Sequence, residues 1–392
     1  MTQLRNLLLI AGLITVLHSC SDSDSEPNKQ AGDVVSYNLK TTVWAASAKT
    51  IAEIAGYDQF EQLINYDADV YELIYLTEFK GELIRASALV SVPIGDEPFP
   101  ILNANHGTIF ANDEAPTSST VSIEMLLGTT GYITVIPDFI GYGISKRFLH
   151  PYYVKEYEAG AVLDAINAAN EMVESLEINL SDKLFLFGYS EGGYVTMAVQ
   201  RALEFDKELQ NKITASAIGA GGYDINDVMS NILAKEEYFA PGYLAFVVHA
   251  YNTTYDWDIP LDEIFNEPYA SEIPELFNGD YHFDQVNASL TNSIADLFNP
   301  EFLEDMKNQR HPLYDPAFKE NSLLDWAPQS PTRLFHGTED GVVPFENSEL
   351  TFQTLQKNGA ADLEFIIRYG GTHGTTITPM IEYVIPWFES LK

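Results

Sequence analysis

The sequence predicts an α/β protein, in which a mostly parallel central sheet with helices on both faces is interrupted by an inserted, mainly helical cap. Three observations support this prediction. Short apolar runs alternate with helical patterns, which is typical of parallel strands joined by crossover helices. A glycine-rich turn at Gly188–Gly192 separates one apolar run from the start of a helix. The alternation then stops between Gly222 and Leu324, and resumes afterwards.

The N-terminus has the features of a lipoprotein signal peptide over residues 1–19. A basic Arg5 precedes an apolar segment from Leu7 to Leu17 that is too short to span a bilayer. Leu17-His18-Ser19-Cys20 resembles a bacterial lipobox, although His18 replaces the usual small or apolar residue. Cys20 is the only cysteine, which excludes an internal disulfide and favours lipidation of this thiol. A simple secretory signal with an unused thiol is the alternative.

Residues 20–33 are predicted to be the lipidated cysteine followed by a disordered acidic tether. The segment from Ser21 to Gln30 is polar, acidic and poor in apolar residues. It resembles the acidic stretch that follows the lipidated cysteine in Bacteroidetes lipoproteins sent to the cell surface. The expected location is therefore the outer membrane, at the cell surface or, as the alternative, facing the periplasm.

Composition limits the size of the fold and the classes of partner. The chain has 392 residues, 46% of them hydrophobic, which is enough for one large core or two modest ones. It has 21 Lys and Arg against 57 Asp and Glu, a formal net charge of −36. This charge argues against binding to nucleic acid and against electrostatic adhesion to anionic lipid. Membrane attachment is expected only through Cys20, and the oligomeric state stays open.

The core is predicted to comprise residues 34–222 and 325–392. It is expected to begin with a helix from about Val34 to Phe60, because apolar residues from Val43 to Ile54 recur at spacings of three and four.

A hairpin and then a parallel sheet are predicted next. Val70–Thr77 and Leu83–Pro93 alternate in polarity and flank a turn at Lys80-Gly81-Glu82. The six strands predicted from later apolar runs are Pro100–Asn103, Ile133–Ile136, Leu184–Phe187, Ile213–Ile218, Arg333–Phe335 and Leu363–Arg368. The helices predicted among and after them are Thr120–Thr129, Lys155–Val173, Gly192–Phe205, Glu346–Lys357 and Thr376–Leu391.

Residues 223–324 are predicted to form the cap, or lid. This stretch has no strand rhythm and is crowded with aromatic residues. Most of these aromatics are expected to build a small core within the cap. Some are expected to line a pocket, because ligand sites are concave and largely apolar.

Ser190 is the candidate nucleophile. It stands at the centre of Gly188-Tyr189-Ser190-Glu191-Gly192, a G-x-S-x-G sequence between an apolar strand and a helix. Such a turn lifts the serine hydroxyl clear of the sheet, and residues without a Cβ let neighbouring backbone pass close by. An ordinary glycine-rich turn is the alternative reading of the five-residue pattern alone.

A serine hydroxyl needs a histidine to take its proton, and the histidine needs a carboxylate to fix its tautomer. Where a G-x-S-x-G elbow occurs on an α/β sheet, these partners follow in the chain order serine, acid, histidine. Asp340 lies just beyond a predicted strand, in His336-Gly337-Thr338-Glu339-Asp340, and is the candidate acid. Glu339 is the competing carboxylate, and His336 is interpreted as a structural residue of the turn.

His373 is the candidate general base. It lies in Gly370-Gly371-Thr372-His373-Gly374, a loop after the last predicted strand and before the final helix. His249, His282 and His311 precede Asp340 in the chain and do not fit the expected order.

An oxyanion hole requires fixed N–H donors where negative charge develops. The amide of Glu191, directly after the nucleophile, is the first expected donor. The amide of Gly107 or Thr108, in the loop after an early predicted strand, is the expected second donor. The turn from Ile136 to Gly143 is an alternative source.

Taken together, these motifs resemble the secretory-lipase group of α/β-hydrolases, which includes fungal lipase A and bacterial lipoprotein esterases. The resemblance extends from about residue 70 to the end of the chain. The matching pieces are His106-Gly107-Thr108, Pro137-Asp138 to Gly143, Tyr157-Glu158-Ala159-Gly160, Gly188 to Gly193, and the turns at Asp340 and His373.

The resemblance implies the α/β-hydrolase fold and a carboxylic ester hydrolase that works through an acyl-enzyme, without metal or cofactor. It implies a small-molecule or lipid ester as substrate. It also implies that Asp138 helps to shape the oxyanion site. Glu191 departs from relatives that have glycine after the serine.

Three other functions remain open from the sequence. A prolyl-type serine peptidase uses the same triad on the same fold. An acyltransferase would also use it. A surface lipoprotein that binds a ligand on an inactive hydrolase core would be favoured by an incomplete triad.

Overall fold

The structure is a computed structural model that describes residues 29–54, 58–118, 123–205 and 213–392. The predicted signal peptide, Cys20 and most of the predicted tether lie outside these ranges. Within them, no helix combines the length and the apolar character needed to cross a bilayer.

The described residues contain a nine-stranded sheet in the order β1-β2-β3-β5-β4-β6-β7-β8-β9. Strands β1 to β3 and the β3–β5 pair are antiparallel, and all other pairs are parallel. The strands are β1 (Val34–Val43), β2 (Ala68–Phe79), β3 (Glu82–Pro93), β4 (Phe99–Asn105), β5 (Ile133–Pro137), β6 (Leu180–Tyr189), β7 (Ile213–Gly219), β8 (Thr332–Gly337) and β9 (Leu363–Arg368). The predicted hairpin and the six later strands are therefore confirmed, each within a few residues.

The helices follow in chain order. The first three are α1 (Ala45–Ile54), α2 (Lys155–Ser175) and α3 (Glu191–Phe205). Between β7 and β8 lie α4 (Ile225–Leu233), α5 (Pro241–Thr254), α6 (Leu261–Ile264), α7 (Tyr269–Leu276), α8 (Phe283–Ser289), α9 (Ile294–Leu297), α10 (Pro300–Lys307) and α11 (Tyr314–Asn321). The last two are α12 (Phe345–Asn358) and α13 (His373–Glu389). Short 3-10 helices are Asp58–Leu63, Asn112–Glu114, Ile123–Thr130 and Gly143–Ser145.

Alternating side chains of the strands divide the core between the two faces of the sheet. Phe99 and Ile101 of β4 pack with Ala165, Ala169 and other residues of α2. Leu102, the next residue of β4, packs on the opposite face with α13. This follows from the two-residue period of a strand, and it explains why β4 reads as a continuous apolar run.

The predicted N-terminal helix is wrong over its first part. Val34–Val43 is an edge strand that pairs antiparallel with β2, and among the described residues the helix begins at Ala45 and occupies Ala45–Ile54. Val34, Val35, Tyr37 and the threonines of this segment favour a strand, and β2 offers the backbone groups with which it pairs. The apolar spacing of three and four belongs to α1 alone. The predicted helix Thr120–Thr129 is a 3-10 helix over Ile123–Thr130, and its first residues lie outside the described ranges.

The sheet brings the predicted site residues to one edge. Strand β4 lies between β5 and β6, so the chain connections leave β4 and β5 in opposite directions at this point. Ligands of open parallel sheets bind at the carboxyl ends of strands where such a reversal occurs. The loops after β4, β6, β8 and β9 meet at this edge, and they carry Gly107, Ser190, Asp340 and His373.

Candidate active site

Ser190 occupies the tight turn between β6 and α3. Its φ is +60°, a left-handed conformation that non-glycine residues adopt only when the surrounding structure enforces it. The Ser190 amide donates to the Gly219 carbonyl on the neighbouring strand at 2.9 Å. A Cβ on Gly192 would lie 2.0 Å from the Asn105 carbonyl oxygen, so this position requires glycine. The fold therefore presents the serine on a strained turn, as the G-x-S-x-G pattern predicts.

His373 is the first residue of α13 and lies against Ser190. Its Nε2 is 2.9 Å from Ser190 Oγ, and its Nδ1 is 2.7 Å from Asp340 Oδ2. An ionised carboxylate only accepts hydrogen bonds, so Nδ1 carries the proton and Nε2 is free to accept the serine proton. The Tyr189 hydroxyl donates to the His373 carbonyl at 2.7 Å and holds the start of the helix.

Asp340 is held by four hydrogen bonds in the turn after β8. Its Oδ1 accepts from the amides of Val342 and Val343 at 2.9 Å each, and its Oδ2 accepts from His336 and His373. Burial opposes the charge, but the hydrogen bonds from the two histidines outweigh it and hold the pKa of Asp340 well below its usual range. The carboxylate therefore stays ionised throughout the neutral range.

The structure separates Asp340 from its competitors in this turn. The side chain of Asp340 is fully buried against His373, whereas Glu339 is exposed. His336 Nδ1 pairs with Ser348 Oγ at 2.6 Å and Nε2 reaches Asp340 at 3.1 Å, so His336 positions the acid from behind. This agrees with the structural role predicted for His336.

Glu191, Gly107 and Thr108 lie where oxyanion donors are expected. A Cβ on Gly107 would lie 3.6 Å from Ser190 Cβ, and Thr108 lines the same cavity as Ser190. The amides of Glu191 and Thr108 have no acceptor among the described residues. Both are thus available to an incoming oxygen atom.

Asp138, which the resemblance places among the residues that shape the oxyanion site, bonds to the strand and loop beside that site. Its carboxylate accepts hydrogen bonds from the Ser87 hydroxyl and from the amide and hydroxyl of Thr117. Asp138 ties the end of the loop that follows β4 to β3, and so fixes the path of the loop that contains Gly107.

Sequence reasoning missed a buried ionic cluster directly behind the elbow. The side chain of Glu191 turns inward, and its Oε1 is 2.8 Å from His150 Nε2; Glu158 Oε1 is 3.5 Å from the same nitrogen. Among the described residues, these three side chains are the one group of histidine and acidic ligand atoms close enough together to hold a metal ion. The sequence signals were Glu158 and Glu191, which both belong to motifs carrying the resemblance, whereas nothing in the sequence pointed to His150.

Electrostatics in this cluster favour a charged histidine. Burial opposes the imidazolium, but Glu191 and Glu158 outweigh it and raise the pKa of His150 to about 10. Burial also raises the pKa of Glu158 to about 7, against the hydrogen bond from His150.

A narrow apolar cavity opens at Ser190. Two cap helices supply most of its aliphatic wall through one face each: Ile225, Val228, Met229 and Ile232 of α4, and Leu244 and Val247 of α5. Tyr238 and Tyr243, two of the aromatics noted in the cap sequence, also line it. No charged side chain lines it among the residues that the structure describes.

Known proteins resemble this chain in sequence and in structure. A secreted triacylglycerol lipase of Malassezia globosa is 26% identical over 277 residues, which are 67% of this chain and 56% of the relative. The chain thus spans little more than half the length of this curated relative. The rice cell wall degrading esterase LipA of Xanthomonas oryzae superposes with a TM-score of 0.79 at 25% identity, over 90% of this chain and 95% of LipA.

The chain also resembles a more distant structure and matches the profile of a whole family. Candida antarctica lipase A in its closed state superposes with a TM-score of 0.70 at 16% identity, over 93% of this chain and 84% of that enzyme. The sequence profile of the secretory lipase family matches residues 115–390. This match covers well over half of the chain, and the expected α/β-hydrolase fold is confirmed. The chain therefore belongs to the secretory lipase family of α/β-hydrolases.

Proposed function

We propose that this protein is a serine hydrolase that cleaves carboxylic esters, an esterase or lipase, through an acyl-enzyme. The observation that carries the proposal is the relay from Ser190 Oγ to His373 Nε2 and from His373 Nδ1 to Asp340, at 2.9 and 2.7 Å. These distances are those of a nucleophile in contact with its base and of a base oriented by its acid. An inactive binding protein would have no need to maintain this geometry together with a strained serine.

The mechanism follows from the positions of these atoms. Ser190 Oγ attacks the ester carbonyl carbon while His373 Nε2 takes the hydroxyl proton. The resulting oxyanion accepts hydrogen bonds from the amides of Glu191 and Thr108. His373 gives the proton to the alcohol oxygen, the C–O bond breaks, and the alcohol leaves. Water then attacks the acyl-enzyme with His373 as base, which releases the acid and regenerates Ser190.

The cavity supports a neutral acyl group as the part of the substrate held beside Ser190. Its wall is aliphatic and aromatic, and its described lining offers no charge to bind the amine or carboxylate of a peptide. This favours an ester with a hydrocarbon acyl chain over a peptide substrate. The cavity wall comes largely from the helices between β7 and β8, so we also propose residues 223–324 as a cap on a core of 34–222 and 325–392.

The proposal is tested with p-nitrophenyl esters from acetate to palmitate and with a fluorophosphonate probe. We expect turnover of at least part of the series, stoichiometric labelling, loss of turnover on labelling, and recovery of the label on the peptide that contains Ser190. Labelling of another residue, or turnover that persists after full labelling, would contradict the assignment of Ser190.

We predict that Val228→Trp shortens the preferred acyl chain. Val228 lines the cavity and is only partly buried, so a larger side chain can enter the cavity without overpacking the core. Each acyl methylene that can no longer bind in the cavity lowers kcat/KM about tenfold or more. The ratio of octanoate to acetate turnover is therefore expected to fall. Leu350→Trp, on α12 and 39% exposed, is the matched control and should leave the ratio unchanged.

We propose that the protein is exported and anchored by a lipid at Cys20 to the outer membrane. The export signal and the lipobox support this, and so does membership in a family of secretory lipases. In a Gram-negative host fed labelled palmitate, we expect the label on the wild type and the protein in the outer-membrane fraction. Cys20→Ser should lose both, while Ser19→Ala should keep them. Wild-type protein that carries no labelled palmitate would contradict the proposed lipid anchor.

A further inference from the structure

The segment between the Gly143–Ser145 turn and α2 contacts both sides of the oxyanion site. On one side, His150 Nε2 bonds the side chain of Glu191, the residue whose amide follows the nucleophile. On the other side, the Tyr152 hydroxyl bonds Thr108 Oγ1 at 2.7 Å. The two donors follow different strands, β6 and β4, and this one segment reaches both.

The protonation of His150 follows from its partners. Its Nδ1 lies 2.7 Å from the Ile140 carbonyl oxygen, which only accepts, so Nδ1 carries a proton. Its Nε2 lies against carboxylate oxygens of Glu191 and Glu158, so it donates as well. Both ring nitrogens therefore donate, and the ring cannot rotate without breaking a buried charge-assisted bond.

A stack of rings extends the support to the loop that contains Gly107. Phe139 lies between the rings of His106 and His150, with centroid distances of 4.2 and 5.9 Å. Phe139 has a φ of +66°, a backbone conformation that its surroundings must enforce. His106 directly precedes Gly107, so the stack connects His150 with the second side of the oxyanion site.

We propose that His150 and Tyr152 are positioning residues that set the distance between the two oxyanion donors, His150 through the Glu191 side chain and Tyr152 through the Thr108 hydroxyl. The inference rests on the proposed ester hydrolysis. His150 acts only through Glu191, whereas Tyr152 also lines the cavity at Ser190. The side chains of His150 and Glu191 are almost completely buried, so neither side chain contacts the reacting atoms.

The ligand atoms of this cluster lie within 4.8 Å of one another, close enough for a metal ion, but their geometry favours the hydrogen bond. The 2.8 Å between His150 Nε2 and Glu191 Oε1 is that of a charge-assisted bond, and leaves no room for an ion between the two atoms. A zinc ion would separate two such ligand atoms by more, since each lies about 2 Å from the metal.

The test compares Tyr152→Phe and Glu191→Gln with the wild type. For each, kcat, KM, melting temperature and the inhibition constant of an alkyl trifluoromethyl ketone are measured. The ketone forms a bond with Ser190 Oγ, and its oxygen becomes an oxyanion in the same site. We expect kcat to fall about tenfold in each variant with KM little changed, and the inhibition constant to rise by a similar factor.

Tyr314→Phe is the matched control. Tyr314 is a buried tyrosine of the cap whose hydroxyl bonds the Val248 carbonyl at 2.9 Å, away from the elbow. It should lose as much thermal stability as Tyr152→Phe and keep the wild-type kcat. A kcat for Tyr152→Phe that also equals the wild type would overturn the proposed role of Tyr152.

A double-mutant cycle isolates the Tyr152–Thr108 contact. Thr108→Val removes the hydroxyl partner and keeps the backbone amide, so the double variant should lose no more kcat than either single variant. Additive losses would overturn the proposal. So would one equivalent of bound metal in the purified wild type that Glu191→Gln loses. Absence of any wild-type turnover would contradict the proposed function itself, which separates the two failures.

Discussion

Replacing Ser190 by alanine is expected to lower kcat for the best p-nitrophenyl ester by about 10⁶-fold, with KM nearly unchanged. The hydroxyl is the atom that forms the acyl bond, and its removal leaves His373 with no proton to take. The residual rate would come from the oxyanion donors and from binding alone. The measurement is steady-state turnover of an enzyme preparation shown to be free of wild type, together with loss of fluorophosphonate labelling.

The matched control is Ser216→Ala in β7. Ser216 is buried, and its hydroxyl has no hydrogen-bond partner among the described residues, so its loss should cost neither turnover nor labelling. A Ser190→Ala variant that retains a tenth or more of the wild-type kcat would contradict the assigned nucleophile, since the expected loss is about 10⁶-fold.

The turns that carry Ser190, Asp340 and His373 were predictable because each follows a strand that the sequence marks clearly. Parallel strands of one sheet end at the same edge, so motifs far apart in the chain are expected to meet there. The Gly188–Gly192 pattern also predicts a local backbone shape, which the structure has at Ser190. At these turns, the conformation that the local sequence favours is also the one that the whole fold requires.

Edge strand β1 shows where local pattern was insufficient. Polar and apolar residues do not alternate regularly along β1, because neither face of this strand is fully buried. Its conformation depends on pairing with β2, whose partner residues lie 25 to 41 positions away. A periodicity count over the adjoining α1 therefore extended the helix too far.

The direction in which a side chain points was the second feature that the sequence could not predict. The resemblance implies that Asp138 helps to shape the oxyanion site, but its bonds to Ser87 and Thr117 depend on the path of a loop. The inward turn of Glu191 likewise depends on His150, which is 41 positions away. Pairings of this kind come from tertiary packing, and no sequence spacing predicts them.

Asp340→Asn is expected to lower kcat by about 10³- to 10⁴-fold while the fold is kept. The amide can still occupy the turn, but it presents an N–H or a neutral oxygen to His373 Nδ1, so the imidazole loses both its fixed tautomer and the charge that stabilises its protonated form. Because the hydrogen bonds from His336 and His373 keep the pKa of Asp340 low, titration of this carboxyl should not change the wild-type rate near neutral pH.

The matched control is Glu339→Gln, which removes the adjacent exposed carboxylate and should keep the wild-type kcat. If Glu339→Gln were the variant that lost turnover and Asp340→Asn the one that kept it, the acid of the triad would be Glu339, and the buried bond between Asp340 and His373 would be structural only.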